Sequence, residues 1–156
     1  MSSEEKVSDL METKLQTARA DSTAKESAVQ MAKSKRGYVI VTDGGQAVGI
    51  VTERDLVQKV IAEGLDPAKV LIGDIMSTPL IKVDKDSKVD EAAALMSEYG
   101  IRKVVVEDES GKLTGIMTAE TLAKTMAKSS NYSDPRLNAM ANLKPDEVGA
   151  MGGPYQ

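Results

Sequence analysis

The 156-residue chain contains no Cys, no His, no Phe and no Trp. Without His or Cys there is no imidazole base, no thiolate nucleophile and no disulfide. The usual zinc and iron–sulfur ligand sets are missing for the same reason. Carboxylates, Lys, Tyr and Ser remain, so the chemistry is narrowed but not abolished. Aromatics amount to four Tyr, so a core must be built from Val, Ile, Leu, Ala and Met. No run approaches the roughly 18 apolar residues that span a bilayer. Positive charge is not in excess either: the net charge is −4. Phosphate-backbone binding needs clustered basic residues, so nucleic acid and membrane surfaces are not expected partners. The start, Met1 to Lys6, is polar and lacks an apolar stretch. No secretory signal is expected, and the cytoplasm is the expected compartment.

What is present is a repeat. Sliding the chain on itself by 65 residues places Val7-Ser-Asp-Leu-Met11 on Ile72-Gly-Asp-Ile-Met76. Thr13 and Leu15 fall on Thr78 and Leu80, and Asp21-Ser22 on Asp86-Ser87. Glu26, Ala28 and Met31 fall on Glu91, Ala93 and Met96, and Val39, Val41 and Asp43 on Val104, Val106 and Asp108. These are 12 identities over positions 7–43, where chance supplies roughly two. One extra residue in the second turn moves the offset to 66. Gly45, Gly49, Ile50, Thr52 and Leu56 then meet Gly111, Gly115, Ile116, Thr118 and Leu122. A unit of this length is too long for a solenoid repeat and suits two copies of a small α/β motif.

Periodicity predicts the elements of each copy. In the second, Leu80–Val83 is extended and Asp86-Ser87 caps a helix, with Asp90 in the capping-box position. The helix runs to Tyr99 with Val89, Ala92, Ala93 and Met96 on one face, and Gly100 stops it. Residues 103–107 and 112–118 read as a hairpin around Asp108–Gly111. A last helix covers 119–127. The first copy predicts a helix over 23–34, strands at 38–42 and 47–52 about Asp43-Gly44-Gly45, and a helix at 53–63. Each copy therefore reads β-α-β-β-α, with a helical lead-in at 7–11 or 72–76. The expected domains are 1–68 (core 7–63) and 69–128. Residues 129–156 hold Pro135, Pro145 and Pro154 without periodicity and are expected to be disordered. The other reading of this tail is a docking latch built on Leu137, Met140, Leu143, Val148 and Met151.

The stretch Gly49-Ile-Val-Thr-Glu-Arg-Asp55 lies where a strand ends and a helix begins. Backbone N–H groups are unpaired there and suit an anion. Thr52 adds a hydroxyl, and the Asp55 carboxylate can accept a vicinal diol, as an acid does in dinucleotide folds. Together they make a ribose-phosphate grip. The competing reading is a T-x-x-D cap in which Asp55 merely complements the helix dipole.

The repeat, its element order and this stretch together resemble the CBS domain, and the tandem resembles a Bateman module over residues 7–128. The marks are the two lead-ins, Asp21-Ser22 and Asp86-Ser87, Ile101-Arg-Lys-Val-Val-Val106, and two glycine–aliphatic–aliphatic–threonine stretches. The resemblance implies an α/β (α+β) fold with two small sheets packed about a pseudo-two-fold axis. It implies binding of an adenosine nucleotide (AMP, ADP or ATP) in clefts between the motifs, with no catalytic residue, no metal and no covalent cofactor. By that resemblance one cleft uses Ile50, Thr52, Arg54 and Asp55, with Thr78, Pro79, Leu80, Ile81, Ile101, Arg102 and Lys103 opposite. The Asp takes ribose hydroxyls, and the Thr and basic residues take phosphate. The competing reading of Arg102-Lys103 is a solvated strand edge.

The second cleft is implied at Lys14, Leu15, Arg36, Gly37, Tyr38, Ile116, Thr118 and Thr121. There Thr121 replaces the Asp and Glu120 adds negative charge, so weaker binding is expected. Tyr38 can stack on a base or simply pack, and Met31, Met96, Met117 and Met126 are expected in the core. The resemblance further implies a homodimer formed through CBS helices and an unidentified protein partner that receives the signal. The alternatives are an assembly module with vestigial clefts, or a binder of S-adenosylmethionine or NAD. An enzyme is disfavoured: no nucleophile is poised beside a base, and no Walker-type loop is present.

Overall fold

Two strands rich in β-branched residues, Tyr38–Asp43 and Lys103–Glu107, form the centres of two separate three-stranded sheets. The structure is a computed structural model and describes residues 5–129. Both readings of the tail beyond Ser129 fall outside the described residues.

The first sheet comprises β1 (Thr17–Arg19), β2 (Tyr38–Asp43) and β3 (Gln46–Thr52), in that order. β1 runs parallel to β2, and β3 antiparallel to it. The helices of this copy are α1 (Val7–Leu10), α2 (Ala24–Ser34) and α3 (Glu53–Leu56). The second sheet repeats the pattern with β4 (Lys82–Asp84), β5 (Lys103–Glu107) and β6 (Leu113–Thr118). Its helices are α4 (Val89–Tyr99) and α5 (Ala119–Ser129). The duplication extends to irregularities. The hairpin register shifts at Val41/Thr42 and again at Val106/Glu107, positions 65 residues apart. The residues after α2 and α4 are left-handed: Lys35 at φ 59° and Gly100 at φ 62°.

Two local expectations are corrected. The helix expected at 53–63 is instead the single turn α3 followed by a π-helical turn, Val57–Ile61. Asp86-Ser87 does not cap α4. Its N-cap is Lys88, with no side-chain cap bond. The Asp86 amide instead donates to Asp84 Oδ1 at 2.8 Å and the Ser87 amide to the Asp84 carbonyl at 3.0 Å, so the pair makes a turn held from behind. The first copy caps one residue later than its Asp-Ser pair, with the Glu26 amide donating to Thr23 Oγ1 at 3.1 Å.

The chain divides into two compact units, offset from the sequence repeat. Residues 15–80 form one. The other joins residues 5–14 with residues 81–129. Each unit thus contains one copy's sheet together with the other copy's lead-in. In the 15–80 unit the lead-in is a 3₁₀ turn, Ile72–Asp74, followed by an antiparallel bridge between Ser77 and Ile50. In the other it is α1, followed by a bridge between Glu12 and Ile116. Glycine makes both contacts possible. A Cβ on Gly49 would lie 2.6 Å from Met76 Sδ, and one on Gly115 would lie 2.5 Å from Met11 Sδ.

The core of the 15–80 unit is aliphatic: Ala24, Met31, Val39, Val41, Val51, Val60, Ile72 and Ile75 are all buried. Each fully buried Val or Ile contributes about 1.5–3 kcal/mol by leaving water. Met96 and Met117 are buried in the other unit, as Met31 is in this one, while Met126 is half-buried. No helix among the described residues is long and apolar enough to cross a membrane.

Candidate functional site

Thr52 ends β3 and starts α3, and both readings of its T-x-x-D pattern can be set against geometry. It is fully buried and forms a reciprocal capping box with Asp55. The Asp55 amide donates to Thr52 Oγ1 at 3.4 Å, and the Thr52 amide donates to Asp55 Oδ2 at 2.9 Å. The first amide of the turn is also committed, since Glu53 N–H donates to the Gly37 carbonyl at 3.1 Å. The turn is thus a cap built from its own residues, and α3 is too short to carry an aligned dipole of any length.

The Asp55 carboxylate is nonetheless more than a cap. It is 3% exposed, and a buried carboxylate must be paired. Ser77 Oγ donates to Oδ1 at 3.0 Å, and Lys59 Nζ lies 2.9 Å from the same oxygen. Lys59 also donates to the Ile75 carbonyl at 2.8 Å. Asp55 therefore ties together the end of β3, the π-helical turn and the strand entry after the 3₁₀ turn. Sequence reasoning did not single out Lys59 or Ser77. The signals were there: Lys59 stands four residues after Asp55, the spacing of a helical ion pair, and Ser77 immediately precedes the marked Thr78-Pro79.

Of the other residues implied for this cleft, Ile50 is buried in β3, Arg54 is half-buried, Thr78 and Pro79 are exposed across a cis peptide bond, and Leu80 is half-buried. These belong to the 15–80 unit. Ile81, Ile101, Arg102 and Lys103 belong to the other. Ile101 is buried and Ile81 half-buried.

Arg102 is not a solvated edge residue. Its side chain is 12% exposed and holds Glu120 Oε1 at 2.8 Å. Burial alone would raise the Glu120 carboxyl. The Arg102 hydrogen bond, a backbone amide and the charges of Arg102 and Lys103 outweigh that and hold it below its ordinary value.

The residues of the second implied cleft also divide between the units. In the 15–80 unit, Tyr38 is 4% exposed and its carbonyl accepts from Gln16 Nε2 at 2.8 Å, so it packs in β2. Leu15, Arg36 and Gly37 are half-buried. In the other unit Lys14 is exposed, Ile116 is buried in β6, and Thr118 Oγ1 donates to Thr121 Oγ1 at 3.0 Å. Thr121 keeps half of the cap, its amide donating to Thr118 Oγ1 at 3.1 Å, but brings no carboxylate.

A groove of about 830 Å³ opens at the opposite end of β3, lined by Arg19, Asp21, Gly44, Gly45, Asp74 and neighbours. None of the site residues line it. Among the described residues no group of three or more acidic side chains could hold a metal ion.

Two matching strand-to-helix turns on duplicated three-stranded sheets define the class. The CBS domain family model matches residues 7–62 and 72–128, and the chain belongs to that family. An uncharacterised protein of Methanopyrus kandleri is 43% identical over 102 residues, 62% of this chain and 52% of its own, so the chain spans about half of that relative. The CBS domain protein of Pyrobaculum aerophilum complexed with AMP has a TM-score of 0.69 at 25% identity, covering 88% of this chain and 99% of its own. The CBS domain pair of protein MJ0100, in complex with 5′-methylthioadenosine and S-adenosyl-L-methionine, has a TM-score of 0.72 at 28% identity, covering 81% and 98%. L-aspartate semialdehyde sulfurtransferase of Methanocaldococcus jannaschii is 32% identical over 119 residues, 76% of this chain but 22% of the enzyme.

Proposed function

We propose that the chain is a regulatory module that binds an adenosine nucleotide, AMP, ADP or ATP, and passes the signal to a protein partner or to its own homodimer. The observation that carries this reading is the buried Asp55 carboxylate, held in one orientation by Thr52 at the mouth of a strand-to-helix turn. A fixed carboxylate is the acceptor a ribose diol needs, and Arg54 is the cation that the same unit offers to phosphate. Ile50, Thr78, Pro79 and Leu80 are the groups of that unit offered to adenine. The Thr118–Thr121 turn, lacking a carboxylate, is assigned the weaker role. The work is binding, carried out in the cytoplasm, and not catalysis. Support for adenosyl chemistry comes from relatives complexed with AMP and with S-adenosyl-L-methionine. The latter favours a second reading, in which the ligand is an adenosyl sulfonium.

Calorimetric titration of the whole chain with adenosine, AMP, ATP and S-adenosylmethionine separates these readings. Saturable binding that Asp55→Asn weakens about tenfold or more supports the site, because a hydrogen bond to a charged acceptor has been lost. A ranking led by S-adenosylmethionine selects the second reading. Silence with every adenine compound selects a structural assembly module.

A further inference from the structure

A carboxylate has two oxygens and about four lone-pair sites, and at Asp55 four donors already fill them. The Thr52 amide and Thr52 Oγ1 reach Oδ2 at 2.9 and 3.2 Å. Ser77 Oγ and Lys59 Nζ reach Oδ1 at 3.0 and 2.9 Å. The Thr52 pair builds the cap and stays while α3 stays wound. The other two donors are removable. Ser77 is half-buried and the Lys59 side chain is 41% exposed, so each has water to turn into. Both fasten the same stretch of chain: Ser77 belongs to it, and Lys59 also grips the Ile75 carbonyl at 2.8 Å.

A vicinal diol brings two hydroxyl donors. We infer that a diol binds Asp55 by exchanging with Ser77 and Lys59, and that this exchange unfastens residues 75–77 from α3 and the π-helical turn. The inference rests on the reading of Asp55 as a sugar acceptor and supplies its regulation, because the fastened and released stretches are the two states that a ligand must distinguish. The released stretch carries the bridge to β3, in which Ser77 N–H donates to the Ile50 carbonyl at 2.8 Å and Ile50 N–H to the Ser77 carbonyl at 3.3 Å. It leads directly into Thr78–Leu80. The other unit keeps the corresponding bridge between Glu12 and Ile116, but Thr121 and Thr125 stand where Asp55 and Lys59 would. Its bridge is therefore not fastened through a carboxylate at the turn.

The test is amide hydrogen exchange on the full chain, alone and saturated with adenosine or with 2′,3′-dideoxyadenosine, which lacks the diol. Adenosine is expected to speed exchange at Ile50 and Ser77 severalfold, and the dideoxy compound to leave it unchanged. Ser77→Ala and Lys59→Met, which remove competing donors, are each expected to tighten adenosine binding about tenfold. Adenosine bound without faster exchange, or bound more weakly by Ser77→Ala, overturns the inference while leaving the binding reading intact. Asp55→Asn without any nucleoside tests the fastening alone. Faster exchange at Ile50 and Ser77 supports it, and unchanged exchange overturns it. If no nucleoside binds the parent chain or either variant, the binding reading falls and the exchange falls with it, whatever Asp55→Asn shows.

Discussion

Ser27 sits in α2 fully buried, and its hydroxyl has no hydrogen-bond partner. The residue 65 positions on is Ala92, also fully buried, so the second copy has solved the same packing problem without a polar atom. Ser27→Ala is expected to stabilise the fold by about 1 kcal/mol or more, by removing an unsatisfied buried group; the urea midpoint measures it. Glu120 presents the opposite case. Its folded-state carboxyl titrates below the ordinary value because Arg102 and Lys103 outweigh burial. The group therefore adds stability at pH above the ordinary carboxylate range, and that stability is lost as pH falls through the lowered folded value. Glu120→Gln is expected to be less stable than the parent at pH 7 and to converge with it in acid; melting temperatures across pH report the difference. Asp55 shows how far a single residue is legible. The capping box follows from T-x-x-D spacing, since one helical turn brings the two side chains together. Ser77, 22 residues away, reaches the same carboxylate only because the chain returns to β3, and no local pattern contains that return.

At the scale of elements, the hairpin strands β2, β3, β5 and β6 were readable because β-branched runs and Gly-rich turns carry their own signal. The start of α4 was not. Asp86-Ser87 has cap chemistry, but Asp84 behind it captures both amides, so tertiary placement of β4 overrides the local preference. The π-helical turn at Val57–Ile61 was equally hidden, because its residues would also suit a regular helix. Lys59 lies within it and reaches the Asp55 carboxylate four residues back. The two close approaches at β3 and β6 are testable by adding one methyl group. A Cβ on Gly115 would meet the Glu12 carbonyl at 2.9 Å as well as Met11 Sδ, and one on Gly49 would meet the Ser77 carbonyl at 3.1 Å. The Met side chains can move but the carbonyls cannot without shifting a bridge. Gly115→Ala is expected to cost about 1–3 kcal/mol, and Gly49→Ala less, as read by chemical denaturation.

At the scale of the whole molecule, three of the six large apolar side chains exposed among the described residues lie near the end of the first copy. Val57 and Ile61, one helical turn apart, are 54% and 67% exposed, and Leu65 is 47% exposed. Side chains of this size exposed together fit the proposed self-association. Ile61→Asp is expected to lower the mass measured by light scattering toward that of a single chain. The sequence by itself determined that the protein is a duplicated α/β motif with an aliphatic core and no imidazole or thiol chemistry. Repeat spacing, β-branched strands and the missing residue types are properties of the chain as written. Only the tertiary structure decided that the segment after each copy's lead-in bridges to the other copy's sheet, and that Asp55 is held by Lys59 and Ser77 and Arg102 by Glu120. Those choices depend on where distant segments come to rest, and burial there forces every charge to find a partner close at hand.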